Sequence, residues 1–209
     1  MSNPVTGAVS WNTPVVINSG DVVAAADLTA LNKDVAFLRA APWTFYYQTA
    51  NGSTVASGSN QTLFGGSGAG AYTTVASTSA VGSFTNTSGV ITVPLTGLYQ
   101  ITLTIACAGL ASGTHWRPQI TGLNSGSTVW TLPGPILHTA GTGWNDFVTH
   151  TVTVPMGAGA QLGSSAATSF SMQVLNVSGA SAITPQGAAL PGLLTYASIT
   201  YLGISTGAY

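Results

Sequence analysis

The chain has 209 residues, enough for one large domain or for a domain with a small appendage. Three basic and four acidic residues give a net charge of −1, and charged residues make up 3% of the chain, against about a quarter in an ordinary soluble domain. This excludes the basic patch that a nucleic-acid partner needs. It also leaves a Ser, Thr, Gly and Ala surface poorly protected against association, so much of it is expected to be buried in an assembly.

Residues 1–20 contain Pro4, Gly7, Pro14 and Gly20 and one short apolar run, Val15-Val16-Ile17. They read as an extended arm that lies on something else. The opening residues have neither a basic n-region nor a long apolar core, so no signal peptide is expected. No apolar run approaches the roughly 18 residues that would span a membrane. Over residues 21–40, Ala24, Leu28, Leu31, Val35 and Leu38 recur at spacings of 4, 3, 4 and 3, an a/d stripe that predicts an amphipathic helix. Asp27 near its start and Arg39 at its end suit the helix dipole, and Pro42 stops it. The stripe either packs on its own domain or forms the short three-stranded foot of a trimer, with Leu28, Leu31, Val35 and Leu38 at the interface. Two heptads do not hold a trimer unaided, so the globular part would share the contact.

Residues 43–48, WTFYYQ, predict the first strand of the domain. Residues 49–83 are rich in Gly, Ser, Thr and Ala, with a short strand at Gln61-Thr62-Leu63-Phe64 and a mobile loop at Gly65, Gly66, Gly68 and Gly70. That loop has no strand-then-helix context and no following Lys, so it is not a phosphate cradle. A short strand from Gly89 ends at Pro94, which cannot donate to a ladder, and Thr96-Gly97 turns the chain. The cleanest alternation in the sequence follows. Tyr99, Ile101, Leu103 and Ile105 fall on one face, and Gln100, Thr102 and Thr104 on the other. Cys107, alone in the chain, reads as a small buried hydrophobe; it leaves no internal disulfide and no Cys-based metal site.

His115 to Ile120 predicts a strand interrupted by Pro118 and therefore at an edge, and Asn124-Ser125-Gly126 a turn. Residues 127–146 read as a loop with short strands. FVTHTVTV, residues 147–154, alternates Val148, His150, Val152 and Val154 against threonines and is expected to end at Pro155. Phe170, Met172 and Val174 mark one face of a strand over 169–177. The last strand, Leu194 to Leu202, is apolar on both faces. Eight or more short strands with Pro/Gly turns argue for an all-β fold, an antiparallel two-sheet sandwich.

Two resemblances follow from particular residues. Val93, Pro94, Gly97 and Tyr99, with Phe84 before them, resemble the Val-Pro-x-x-Gly-x-Tyr block of the complement/tumour-necrosis-factor class of trimeric jelly rolls. The resemblance implies a jelly-roll sandwich and a homotrimer whose final strand is central to its sheet and near the threefold axis. Tyr99, Tyr196, Ile199 and Tyr201 are then interface residues. The turn Gly157 to Leu162 resembles the one before the family's next strand, with Ala160 in place of the usual Asp. Separately, Trp11-Asn12-Thr13-Pro14, Gly20 to Leu28, Asn32 and Phe37-Leu38 resemble the amino-terminal segment of bacteriophage virion surface proteins of the minor-tail, tail-fibre and head-decoration kinds. Thr29 stands where Asn is usual there.

Candidate chemistry is sparse. His115, His138 and His150 show no chelating spacing, so a metal site would need residues brought together by folding. No metal and no cofactor is expected. His115 or His138 with Asp146 and a Ser would be the raw material of a hydrolase triad, but no G-x-S-x-G element supports it and no carboxylate pair suits glycoside hydrolysis. The chain is not expected to be an enzyme. Trp116, Trp130 and Trp144 lie in or beside predicted loops, a composition that suits a sugar-binding loop and equally a protein interface.

The expectation is therefore a homotrimeric structural protein of a phage particle, at the virion surface after assembly in the host cytoplasm. Residues 1–41 would anchor it to other virion proteins, a major capsid or tail protein, and residues 42–209 would form the jelly roll. The alternatives are a tail-fibre tip that recognises host surface glycan, and a secreted complement/tumour-necrosis-factor-like ligand, which the absence of a signal peptide disfavours.

Overall fold

The computed structural model describes residues 41–76, 82–108, 110–139, 146–158, 160–162, 165–178, 181–187 and 195–203. The expected arm and helix, with Leu28, Leu31, Val35 and Leu38, lie outside the described residues, as does Trp144. Every regular element among the described residues is a strand.

Strands β1 (Trp43–Gln48), β3 (Tyr72–Ala76), β6 (Gly97–Ala108), β10 (Asp146–Met156) and β15 (Tyr196–Gly203) form one antiparallel sheet in the order β10-β6-β15-β1-β3, and β14 (Thr184–Pro185) pairs with β6. The second sheet runs β4 (Thr85–Thr87), β5 (Val90–Thr92), β13 (Ser169–Ser178), β7 (His115–Asn124), β8 (Ser127–Pro133). It also takes in β2 (Asn60–Thr62) on β13 and β9 (Leu137–His138) on β7. A separate ladder joins β11 (Gln161–Leu162) to β12 (Ser165–Ala166). The fold is all-β, an antiparallel two-sheet jelly-roll sandwich.

The core lies between the sheets. From the first sheet come Tyr46, Tyr99, Ile101, Leu103, Ile105, Ala197, Ile199 and Tyr201, and from the second Ile91, Trp116, Ile120, Phe170, Met172 and Val174. The alternation over 99–105 is what places them: each fully buried Leu or Ile is worth about 1.5–3 kcal/mol relative to exposure, and a one-residue slip would turn the whole row out to solvent. Cys107 is buried in this core, where desolvation, and then the nearby Asp146 carboxylate, push its thiol well above the ordinary range.

The Val-Pro-x-x-Gly-x-Tyr block acts as a corner. Pairing of β5 with β13 ends at Thr92, just before Val93-Pro94. The Tyr99 hydroxyl donates to the Leu95 carbonyl at 2.7 Å and accepts from the Leu95 N–H at 3.2 Å, so both backbone groups of a buried corner are satisfied by one side chain. Tyr201 stands edge-on to Tyr99, with ring centroids 5.1 Å apart. A Cβ on Gly97 would lie 2.5 Å from the Tyr201 ring and 2.2 Å from the Gly203 carbonyl oxygen, so this position takes no side chain.

Four expectations are corrected by the structure. β7 is an interior strand, between β13 and β8/β9, and not an edge. Pro118 is tolerated there because its side of the strand faces the break between β8, which ends at Pro133, and β9, which begins at Leu137. Its carbonyl accepts from Gly134 N at 2.8 Å, and no ladder partner stands opposite its nitrogen. Pro155 does not end its strand. β10 runs on to Met156, with Pro155 opposite Leu98, and as the outer strand of its sheet it is the place where a missing donor costs least. The glycine loop at 65–70 is tied down rather than mobile: the Gly68 carbonyl accepts from Gln61 Nε2 at 2.6 Å and from Ser53 N at 2.7 Å. β15 is not apolar on both faces, since Thr200 and Ser198 share the outward face with Tyr196 and Leu202.

Candidate functional site

Strand β1 carries aromatic residues at 43, 45, 46 and 47, so the two-residue period must send some of them outward. Tyr46 takes the core side, which leaves Trp43, Phe45 and Tyr47 on the outer face of the first sheet. Register puts Phe45 beside Ser198 and Val75, and Tyr47 beside Tyr196 and Thr73. The Phe45 ring lies 6.0 Å from Tyr47 and 5.8 Å from Tyr196, centroid to centroid, a spacing at which aromatic pairs attract. Of the exposed large hydrophobic residues among those described, four lie on this sheet: Trp43, Val75, Phe147 and Leu202, with exposures of 42–52%. The fifth is Ile136.

The rest of the face is hydroxyl and amide. Thr102 pairs with Thr151 (Oγ1–Oγ1 3.0 Å) and Thr104 with Thr149 (2.9 Å) across β6 and β10. Gln100, Thr153, Ser198 and Thr200 continue the set. Among the described residues no charged side chain belongs to it. The charges there are Arg117, on β7 in the other sheet, and Asp146, on the core side of β10 opposite Cys107, where it accepts from Thr139 Oγ1 at 3.2 Å.

The predicted interface residues are split by this geometry. Tyr196 is on the outer face. Tyr99, Ile199 and Tyr201 are at most 3% exposed within their own chain, and on β15 it is Tyr196 and Leu202 that face outward. Of the predicted ligand tryptophans, two are among the described residues. Trp116 is fully buried in the core. Trp130 is half-buried on β8 against Gly122. Trp43 lies in the predicted first strand, and the two-residue period within WTFYYQ is the signal that places it on the outer face.

The histidines occupy two places. His150 packs against Gly134, and because the Leu132 carbonyl only accepts, His150 Nε2 donates to it at 3.3 Å. Burial lowers its pKa and that hydrogen bond partly offsets the shift. His115 and His138 stand directly opposite each other on β7 and β9, with ring centroids 4.2 Å apart at 61°. Ser178 Oγ is 3.1 Å from His115 Nδ1. Among the described residues no carboxylate hydrogen-bonds either ring, and no group of three or more His, Cys, Asp or Glu is placed to hold a metal ion.

No protein family and no curated protein matches the chain in sequence. In fold it is similar to Eiger TNF from S. frugiperda, at 11% identity and a TM-score of 0.46, the match covering 80% of this chain and 96% of that one. It is likewise similar to murine APRIL, at 9% identity and a TM-score of 0.40, covering 77% of this chain and 99% of that one.

Proposed function

We propose that the chain is a non-enzymatic structural protein of a bacteriophage particle, a homotrimeric capsid-decoration or head-fibre protein. Residues 1–41 attach it and the jelly roll of residues 42–209 projects from the virion surface. The observation that carries this reading is the outer face of the β10-β6-β15-β1-β3 sheet. Among the described residues it is an apolar and hydroxyl surface with no charge, in which Phe45, Tyr47 and Tyr196 form an aromatic patch and Trp43 lies exposed on the same face. Such a face costs free energy in water and is stabilised by burial against copies of itself. The amino-terminal resemblance to virion surface proteins supplies the setting. Each bound trimer would hold neighbouring shell subunits together by mass action.

The glycan-binding tip is the weaker reading, because Trp116 and Trp130 lie in or against the core. Among the described residues none favours the secreted-ligand reading.

The test is the light-scattering mass of the full chain and of Phe45→Glu, followed by co-sedimentation of the full chain with purified phage capsids in the absence of host cells. Three chain masses for the native protein, one for Phe45→Glu, and capsid binding without cells are expected. A native monomer removes the trimer. Binding to host cells with none to capsids replaces decoration with the fibre tip.

A further inference from the structure

The sequence offers three histidines with no chelating spacing, but the fold supplies what spacing does not. His115 on β7 and His138 on β9 are register partners in an antiparallel pair, so their side chains leave the sheet on the same side from neighbouring positions. Their rings already meet edge to face at 4.2 Å. Both are accessible: His138 is exposed and His115 partly so.

We propose that His115 and His138 form a two-imidazole site for a borderline divalent transition metal of the Cu2+, Ni2+ or Zn2+ type, with water completing the coordination. Imidazole is a ligand these ions share, at metal–nitrogen distances of about 2.0–2.1 Å for zinc. Small rotations of two accessible rings bring one nitrogen from each to a common ion.

A second observation points the same way. Ser178 Oγ lies 3.1 Å from His115 Nδ1, at the bulge where the β13–β7 register shifts after Asn176. When Nδ1–H donates to that oxygen, the other nitrogen, Nε2, carries the free lone pair. This is the arrangement in which metal-binding imidazoles are held, one nitrogen fixed by a hydrogen bond and the other presented to the ion. Arg117 lies two residues along on the same face of β7, and its charge sets the affinity below that of an isolated pair. His150 is outside the site, occupied by the Leu132 carbonyl.

The consequence is mechanical. β9 is two residues long, and an ion bound by both rings pins it to β7. Because the chelate exists only when the two strands are paired, metal stabilises the folded chain by mass action.

The experiment titrates the full chain with CuCl2, NiCl2 and ZnCl2 in a non-coordinating buffer, by calorimetry and by following the three histidine imidazoles in NMR with Zn2+. One ion per chain is expected, with Cu2+ tightest. Zn2+ should shift the His115 and His138 resonances and leave His150 in place. His115→Ala and His138→Ala should each lose at least about ten-fold in affinity, and the thermal midpoint of the native chain should rise with added metal. The proposal is overturned by an absence of saturable binding, by Zn2+ shifts at His150 in place of the pair, or by an affinity unchanged in both alanine variants.

Discussion

A Cβ on Gly122 would lie 2.1 Å from Cε2 of Trp130, its partner across the β7–β8 ladder. The indole is seated where any other residue would put a side chain, which is how a tryptophan on a short outer strand comes to pack against the core. Gly122→Ala therefore displaces Trp130 or bends β7. The expected cost is about 1–3 kcal/mol, typical of forcing atoms into a packed site. A lowered urea midpoint with unchanged slope, and red-shifted tryptophan fluorescence before unfolding, would be the signature. An unchanged midpoint would show that the indole moves freely.

Tyr99→Phe removes a hydroxyl that serves both the N–H and the C=O of Leu95. The ring remains to pack on Phe84 and Tyr201, so the loss isolates the hydrogen bonds. Two buried backbone groups left without a partner predict a destabilisation of about 1–3 kcal/mol, measured by chemical denaturation. A neutral result would mean that water reaches the corner.

Stability against alkali has a direction set by buried tyrosines. Desolvation raises the Tyr201 pKa from 10.0 to about 12, and the pKa values of Tyr99 and Tyr46 are raised by the same cause. In each case the folded chain holds its phenolic proton more tightly than the unfolded chain does. The contribution is complete below pH 10.0 and is lost as the pH rises from there through the folded value. The thermal midpoint should therefore stay level up to about pH 10 and fall steeply toward pH 12, and Tyr201→Phe should fall less over that interval. A midpoint unchanged to pH 12 would contradict the burial of these hydroxyls.

Much of the sandwich could be read from side-chain alternation, because burial on one face imposes it. Tyr99 to Ile105, Val148 to Val154 and Phe170 to Val174 each sit as their periods require. Strand β3 gave no such sign. It is an outer strand, paired only to β1, and Tyr72, Thr73, Thr74, Val75 and Ala76 are all at least partly exposed, so nothing forces an alternation. The β4–β5 hairpin was also missed, although its turn, Ser88-Gly89, repeats the chemistry of Ser125-Gly126. All four residues have positive φ, the geometry that a two-residue hairpin demands. Pro118 misled because a rule about missing donors identifies edges only when ladders are continuous, and here the ladder beside it is broken.

The site was less legible than the fold, for a physical reason. A tryptophan beside Gly and Ser in the chain reads as exposed, yet Trp116 and Trp130 take their surroundings from strands distant in sequence or from the glycine across the ladder. The aromatic face at Phe45, Tyr47 and Tyr196 unites residues about 150 positions apart, and the histidine pair joins 115 to 138 through a strand of two residues. The first shows locally only as the period within WTFYYQ, and the second leaves no local pattern.

The uncharged outer sheet has one more implication. Contacts between surface charges fade as ions crowd around them, over about 10 Å at 0.1 M salt. Threonines, tyrosines and a tryptophan present nothing for small ions to shield. Copies joined through this face would not be loosened by salt, from dilute buffer to brine.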